Sequence, residues 1–154
     1  MSARPGLATG FSAAEESPGL LLWRVTNRWQ AAQRATLKPL GLTHVQFVLL
    51  AALTWLGTDG PVTQRALAGH AGTDPMMTSQ VVRVLEQRRL VLRSPHATDR
   101  RAWSVAATDA GVALANRAVV AVEACDEAFF GPLGPSMAAF TRALAVLGST
   151  GPSA

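Results

Sequence analysis

Residues 74–111 read DPMMTSQVVRVLEQRRLVLRSPHATDRRAWSVAATDAG, and the spacing of their apolar positions changes midway. Asp74 is a helix N-cap followed by Pro75 at the first helical position, where a backbone N–H is not needed. Thr78, Val81, Val82 and Leu85 recur at helical spacing and predict a helix over 75–88 with one buried stripe. Its opposite face carries Met76, Ser79, Gln80, Arg83 and Gln87. After Leu90 the period falls to two. Residues 90–93 read as a short strand, 94–101 as a polar, turn-forming tip, and 102–107 as the returning strand, with Trp103 and Val105 on one side. Thr108 then caps another helix, with Asp109 in its first turn, where the helix dipole favours a negative charge.

Working outward, Ser17-Pro18 opens a helix over 18–37 whose Leu22, Val25, Trp29 and Ala32 share a face, and Pro39 and Gly41 stop it. Thr43 caps a helix over 44–56 that is apolar on nearly every side and therefore buried. Turn residues fill 57–61, and Thr63 caps a short helix over 64–71 that Gly72 separates from Asp74. The helix from Asp109 reaches about Phe130, the glycines and prolines of 131–135 end it, and a last helix covers 136–147. The predicted fold is mainly α with a small β-hairpin wing: a winged helix-turn-helix (43–108) flanked by terminal helices (18–40 and 109–148). A loose arm (1–17) and a disordered tail (149–154) complete the chain.

The chain has 154 residues, of which 49% are hydrophobic and 16% charged, enough for one domain with a real core. Its single cysteine rules out an internal disulfide and a multi-cysteine zinc site. His44, His70 and His96 have no metal-ligand spacing, and no phosphate loop, carboxylate pair or nucleophile constellation is present. No enzyme activity, metal or cofactor is expected. No apolar run approaches ~18 residues and no signal peptide is visible, so the expected setting is cytoplasmic, with no membrane partner. Fourteen basic residues face ten acidic ones, for a net charge of +4. Six arginines (83, 88, 89, 93, 100 and 101) fall in one short window against Glu86 and Asp99, so that window alone matches the charge of the whole chain. A basic patch of this kind is the footprint of a polyanion.

In a helix-turn-helix the second helix lies in the major groove of double-stranded DNA, where Gln pairs with adenine and Arg with guanine. Ser79, Gln80 and Arg83 suit that task. Met76 and Met77 either meet a thymine methyl or fill a gap in the core. Arg100 and Arg101 at the hairpin tip reach a minor groove or its phosphates, and Asp99 can pair with Arg101 and hold it extended. The DNA-contacting candidates are therefore Thr63, Gln64, Met76, Thr78, Ser79, Gln80, Arg83, Arg100 and Arg101, with Asp99 orienting the wing.

The run Asp99-Arg100-Arg101, followed after a strand by Thr108-x-x-Gly111, resembles the wing of the MarR family of winged-helix transcription regulators. Leu85-Glu86 followed by Leu90-Val91-x-Arg93 is similar to that family's exit from its recognition helix. The resemblance covers about 18–148. It implies a sequence-specific transcriptional regulator, a repressor by expectation, that binds a pseudo-palindromic operator as a homodimer. It places Ser79, Gln80 and Arg83 on the recognition helix and Arg101 in the minor groove. It also implies a small aromatic or phenolic effector between the dimerisation helices and the DNA-binding lobe, where Trp23, Arg24, His44 and Trp55 are candidates. Cys125 reads as a small hydrophobe.

Two positions depart from the family pattern. Arg89 stands where the family has glycine, so either the helix exit is remodelled or Arg89 adopts positive φ at a cost of about 1 kcal/mol. Ala107 replaces a larger aliphatic residue, which loosens the packing beneath the wing. The Arg89 departure leaves open a winged helix that binds proteins or small molecules without a DNA function. The apolar surface of the terminal helices exceeds what one small domain covers, which points to an isologous dimer.

Overall fold

The computed structural model describes residues 6–149; residues 1–5 and 150–154, at the outer ends of the expected arm and tail, lie outside the described residues. The order is α1 (Pro18–Leu37), α2 (His44–Leu56), β1 (Val62–Thr63), α3 (Gln64–Ala71), α4 (Pro75–Gln87), β2 (Val91–Pro95), β3 (Trp103–Ala107), α5 (Asp109–Phe130) and α6 (Met137–Ser149). The predicted winged helix-turn-helix is present. No single helix among the described residues is long and apolar enough to cross a membrane.

α1 to α5 each begin where a side chain accepts one of the helix's first free N–H groups. Ser17, Thr63, Asp74 and Thr108 do this for α1, α3, α4 and α5. Thr43 and Gln46 form a reciprocal capping box at α2. Gly41 and Gly72 take left-handed backbone in the turns that follow α1 and α3. The core lies around α2, whose Phe47, Leu49, Leu50, Ala52 and Leu53 are buried together with Leu67, Leu85, Val105 and Leu114 from α3, α4, β3 and α5.

β1 was not predicted. Val62 pairs with Val105 and Thr63 with Ser104, which makes a three-stranded antiparallel sheet in the order β1-β3-β2. Two residues carry no readable alternation, so only the partner strand reveals this one. β2 also runs two residues further than 90–93, to Pro95 opposite Trp103, and the free tip is correspondingly shorter. α6 extends to Ser149, one residue into the expected tail.

The exit from α4 is left-handed without a glycine. Arg89 has φ 59°, the one positive value at a non-glycine position among the described residues. Its N–H donates to Glu86 O at 2.9 Å, and the Leu90 N–H donates to Leu85 O at 2.9 Å. These two bonds make the Schellman end that a left-handed residue permits. The chain comes back to this point eighteen residues later. The Thr108 N–H donates to Leu90 O at 3.0 Å, and Thr108 Oγ1 donates to Arg89 O at 2.8 Å. Gly111 then sits so close that a Cβ there would overlap the Leu90 carbonyl oxygen. The Thr-x-x-Gly spacing is thus a cap and a close approach one helical turn apart. Beneath the wing, a crevice of about 80 Å³ opens beside Ala107, between Leu53, Thr54 and Val112, which fits the loosened packing expected there.

Gly111→Ala is expected to destabilise the fold by more than about 2 kcal/mol, because backbone rather than a flexible side chain must give way. Arg89→Gly should stabilise it by up to about 1 kcal/mol, raising the thermal midpoint by roughly 2–4 °C. Thermal unfolding of both variants at one fixed protein concentration checks the pair.

Candidate nucleic-acid interface

α4 presents Met76, Gln80 and Arg83 to solvent, with Ser79 half-buried beside them. Met76 and Met77 are 72% and 45% exposed, so neither fills the core. Thr78 corrects the sequence reading. It is fully buried, its Oγ1 lies 2.6 Å from Thr73 Oγ1 and 2.9 Å from Asp74 O, and it cannot reach a base from there. Its hydroxyl is satisfied within the turn, which allows it to share the buried stripe with Val82 and Leu85.

The wing and the helix-turn-helix enclose a cleft of about 620 Å³. Thr63, Gln64, Arg65 and Pro75 line one side and Asp99, Arg101 and Trp103 the other. Thr63 is occupied there as the cap of α3, its Oγ1 accepting from the Ala66 N–H at 3.0 Å. Arg65, exposed at the first turn of α3, was missed in the sequence; its signal was its place two residues after the cap, beside other candidates. The cleft therefore gathers arginines from two segments 36 positions apart.

Asp99 orients the tip through the backbone. Its Oδ1 accepts from the Arg101 N–H at 3.0 Å, whereas no ion pair joins the two side chains among the described residues. His96 adds a second brace that the sequence did not reveal: its Nδ1 accepts from the N–H groups of Thr98 and Asp99 at 3.3 and 3.2 Å. Two of the six arginines in the basic window have internal partners. Arg88 donates to Gln46 Oε1 at 3.2 Å, and Arg93 lies 3.8 Å from Glu86 and stacks on Trp103. Arg83, Arg89, Arg100 and Arg101 remain exposed at this end of the molecule.

The four effector candidates do not converge within one chain. Trp23 and Trp55 are 68% and 76% exposed, and Arg24 pairs with Glu15 at 3.5 Å. His44 alone of the four borders a crevice, of about 340 Å³, which it shares with Trp29, Gln30 and Arg34. The Trp29 and His44 rings meet edge to face at 5.0 Å. Behind them, Asp126 Oδ1 accepts from Trp29 Nε1 at 2.8 Å and from the fully buried Gln33 Nε2 at 2.7 Å. Burial holds the His44 imidazole below its ordinary range; the Asp126 carboxylate opposes that shift and the Arg34 guanidinium adds to it. Cys125 is half-buried and borders an apolar crevice of about 880 Å³ between α1 and α5.

A helix-turn-helix with an exposed polar recognition face, beside a wing carrying an arginine tip, defines a winged-helix DNA-binding regulator. The MarR family model matches residues 42–103. The chain is 40% identical over 121 residues to the uncharacterized HTH-type transcriptional regulator YdcH of Bacillus subtilis, covering 78% of this chain and 82% of that one. It is 35% identical over 138 residues to the HTH-type transcriptional repressor Rv2887 of Mycobacterium tuberculosis, covering 88% and 97%. The structure of Rv2887 in complex with DNA superposes with a TM-score of 0.65 at 34% identity, over 86% of this chain and 98% of that one. BpsR of Bordetella bronchiseptica, whose DNA binding is regulated by 6-hydroxynicotinic acid, superposes with a TM-score of 0.83 at 28% identity, over 92% and 100%. The chain belongs to the MarR family and is a helix-turn-helix transcriptional regulator, not an enzyme.

The Asp99 geometry separates two ways of orienting the wing. Asp99→Asn keeps an acceptor for the Arg101 N–H and should bind DNA within about threefold of wild type, whereas Asp99→Ala should weaken binding about tenfold. Fluorescence anisotropy with one labelled duplex measures both.

Proposed function

We propose that two copies of this chain bind a pseudo-palindromic operator as a repressor, in the cytoplasm, and that an aromatic acid releases them. The observation that carries the reading is the cleft with Arg65 on one wall and Arg101 on the other, beside the exposed Gln80 and Arg83. A duplex seated there would meet cations on its backbone and hydrogen-bonding side chains at its base edges, which supply affinity and selectivity respectively. Thr63, Gln64, Met76, Ser79 and Arg100 border the same face.

The terminal helices support the dimer. α6 buries none of its residues, although Leu144 and Val146 are among them, and α1 leaves Leu21, Leu22 and Val25 exposed. With the apolar crevice between α1 and α5, these surfaces suit a second copy. A two-fold pair would set the recognition helices about one DNA turn apart, ~10 bp. A winged helix without DNA function rested on Arg89 in place of glycine, and that ground weakens because Arg89 takes the left-handed backbone that a glycine there would serve.

The effector reading rests on the crevice beside His44, where an aromatic edge and the Arg34 guanidinium border one opening. Those groups suit a planar carboxylate. The route to DNA is short: His44 opens α2, and Gln46 in the same turn accepts from Arg88 at the end of α4. A ligand that prefers one position of that turn would shift the recognition helix with it.

Selection of duplexes from random DNA tests the first reading. Arg83→Ala should relax base preference at one position of each half-site and weaken binding by about 1–3 kcal/mol, while Arg101→Ala should weaken all sequences alike and lower the salt slope by about one. Variants that bind as wild type at every salt concentration would sink this assignment. Calorimetry with hydroxylated benzoic and nicotinic acids tests the second: heat and DNA release are expected with wild type and not with Arg34→Gln. Silence of the wild-type protein against the whole panel removes the effector from the account.

A further inference from the structure

Arg93 counts toward the basic window in the sequence, yet it does not face solvent. Its side chain is 15% exposed. It stands opposite Val105, a fully buried residue of β3, and so points to the inner face of the wing. On one side, its Nε lies 3.8 Å from Oε1 of Glu86, the penultimate residue of α4. On the other, its guanidinium carbon lies 4.2 Å from the centre of the Trp103 ring on the neighbouring strand. Nε is sealed from solvent and makes no hydrogen bond. What holds this cation is therefore a carboxylate through space and an aromatic face, and the three groups come from α4, β2 and β3.

We propose that Arg93 sets the angle of the wing against the recognition helix, and so acts as a positioning residue for the DNA contact of Arg101. The hairpin is joined to the rest of the domain at its base through the Thr108 junction, and farther out through β1, which pairs with Val105 and Ser104. Beyond Ser104 β3 has no strand on its other edge. The last register pair is Pro95 with Trp103, and beyond it lies the tip that carries Arg101. Trp103 is thus the last residue of the strand ladder before the tip, which is closed by its own hydrogen bonds from His96 to Ala102 and from Ala102 to Asp99. It lines the cleft that Arg101 also lines, and its ring rests on the Arg93 guanidinium. A planar cation between Glu86 and Trp103 ties that point to α4, which presents Gln80 and Arg83 to solvent. Sequence-reading side chains and the wing arginine then approach a duplex at a fixed separation. A greasy residue at position 93 would still bury surface, but it would not link the outer wing to a named point on α4.

The inference rests on the reading of Arg101 as a DNA contact, and its test separates the two. The probe is the best duplex that the wild-type chain selects from random DNA. In the wild-type background R101A should weaken binding about tenfold; in R93Q, where the tip is no longer aimed, the same change should cost less than about twofold. Hydroxyl-radical protection at the outer flanks should disappear in R93Q, while guanine N7 protection in the major groove persists. A merely structural loss would weaken both protections together, and that outcome overturns the proposal. So does an equal R101A penalty in the two backgrounds. A wild-type chain indifferent to R101A overturns the assignment of Arg101, and this inference with it. Should R93Q fail to fold, W103L removes the same link from the other side and is scored by the same outcomes.

Discussion

The backbone of Leu90 holds the molecule's two working parts to each other. Its N–H closes α4 on Leu85, and its carbonyl accepts from Thr108 and lies against Gly111. Burial of Leu50, Leu85, Leu90 and Leu114 supplies most of the stability in this region, at about 25 cal/mol per Å² of apolar surface. That term has no direction, and it would tolerate a small slide of α5 along α4. The hydrogen bonds at Leu90 and Arg89 do not. They oblige everything between 91 and 107 to leave and return at one point, as the matched strands β2 and β3 do. The junction therefore sets where the wing begins and ends. Its strain is modest, since one residue at φ 59° costs about 1 kcal/mol and two backbone bonds plus a cap are formed around it.

The charges at the DNA-facing end divide into two kinds of work. Arg83, Arg100 and Arg101 are exposed, and their attraction to a polyanion reaches about a Debye length, ~8 Å at physiological salt. Arg93 and Arg88 contribute to the same distant field, but their guanidiniums are engaged with Glu86, Trp103 and Gln46. A count of arginines along the chain sees the field and cannot see this division. The same holds for Asp99. Beside two arginines it reads as an ion-pair partner, yet an exposed pair of that kind is worth only about 0–1 kcal/mol, whereas a turn that takes its carboxylate as a backbone acceptor fixes the chain direction.

What the sequence disclosed was whatever is local. Ser17, Thr43, Thr63, Asp74 and Thr108 each cap the helix that follows, because a cap needs only its own side chain and the next three residues. The change of period after Leu90 disclosed the wing for the same reason. β1 was invisible because its two residues are strand only by virtue of Val105 and Ser104, some forty positions away. Thr78 was ambiguous in kind: threonine is at home on a polar face and, with its hydroxyl tied to Asp74, in a core. Of the effector candidates, only His44 borders the crevice between α1 and α2, for a related reason. Trp23 and Trp55 attract attention as aromatic residues, but the crevice forms where α1 and α2 cross, at Trp29, Arg34 and His44. Asp126 lies more than ninety positions from Trp29 and Gln33, the groups it binds, and no spacing rule connects them.

That distant cluster answers the Leu90 junction at the other end of α5. Burying Gln33 leaves its Oε1 without a partner, a penalty of about 1–3 kcal/mol that an apolar residue would avoid. Asp126 offsets part of it by accepting two N–H groups from α1, and in doing so fixes where α1 lies along α5. A stripe of alanines such as Ala32, Ala121 and Ala128 could pack in more than one register, whereas a carboxylate shared by Trp29 and Gln33 allows one. α5 is thus pinned to the recognition helix at its first turn and to α1 near its last. From Gly111 to Asp126, at 1.5 Å per residue, it spans about 23 Å between those pins. The apolar face of α1 that we assign to a second copy stands at one end of this rod and the recognition helix at the other. The separation of two recognition helices in a pair is then governed by directional contacts at both ends of one rigid helix, and it shifts only when one of those contacts yields.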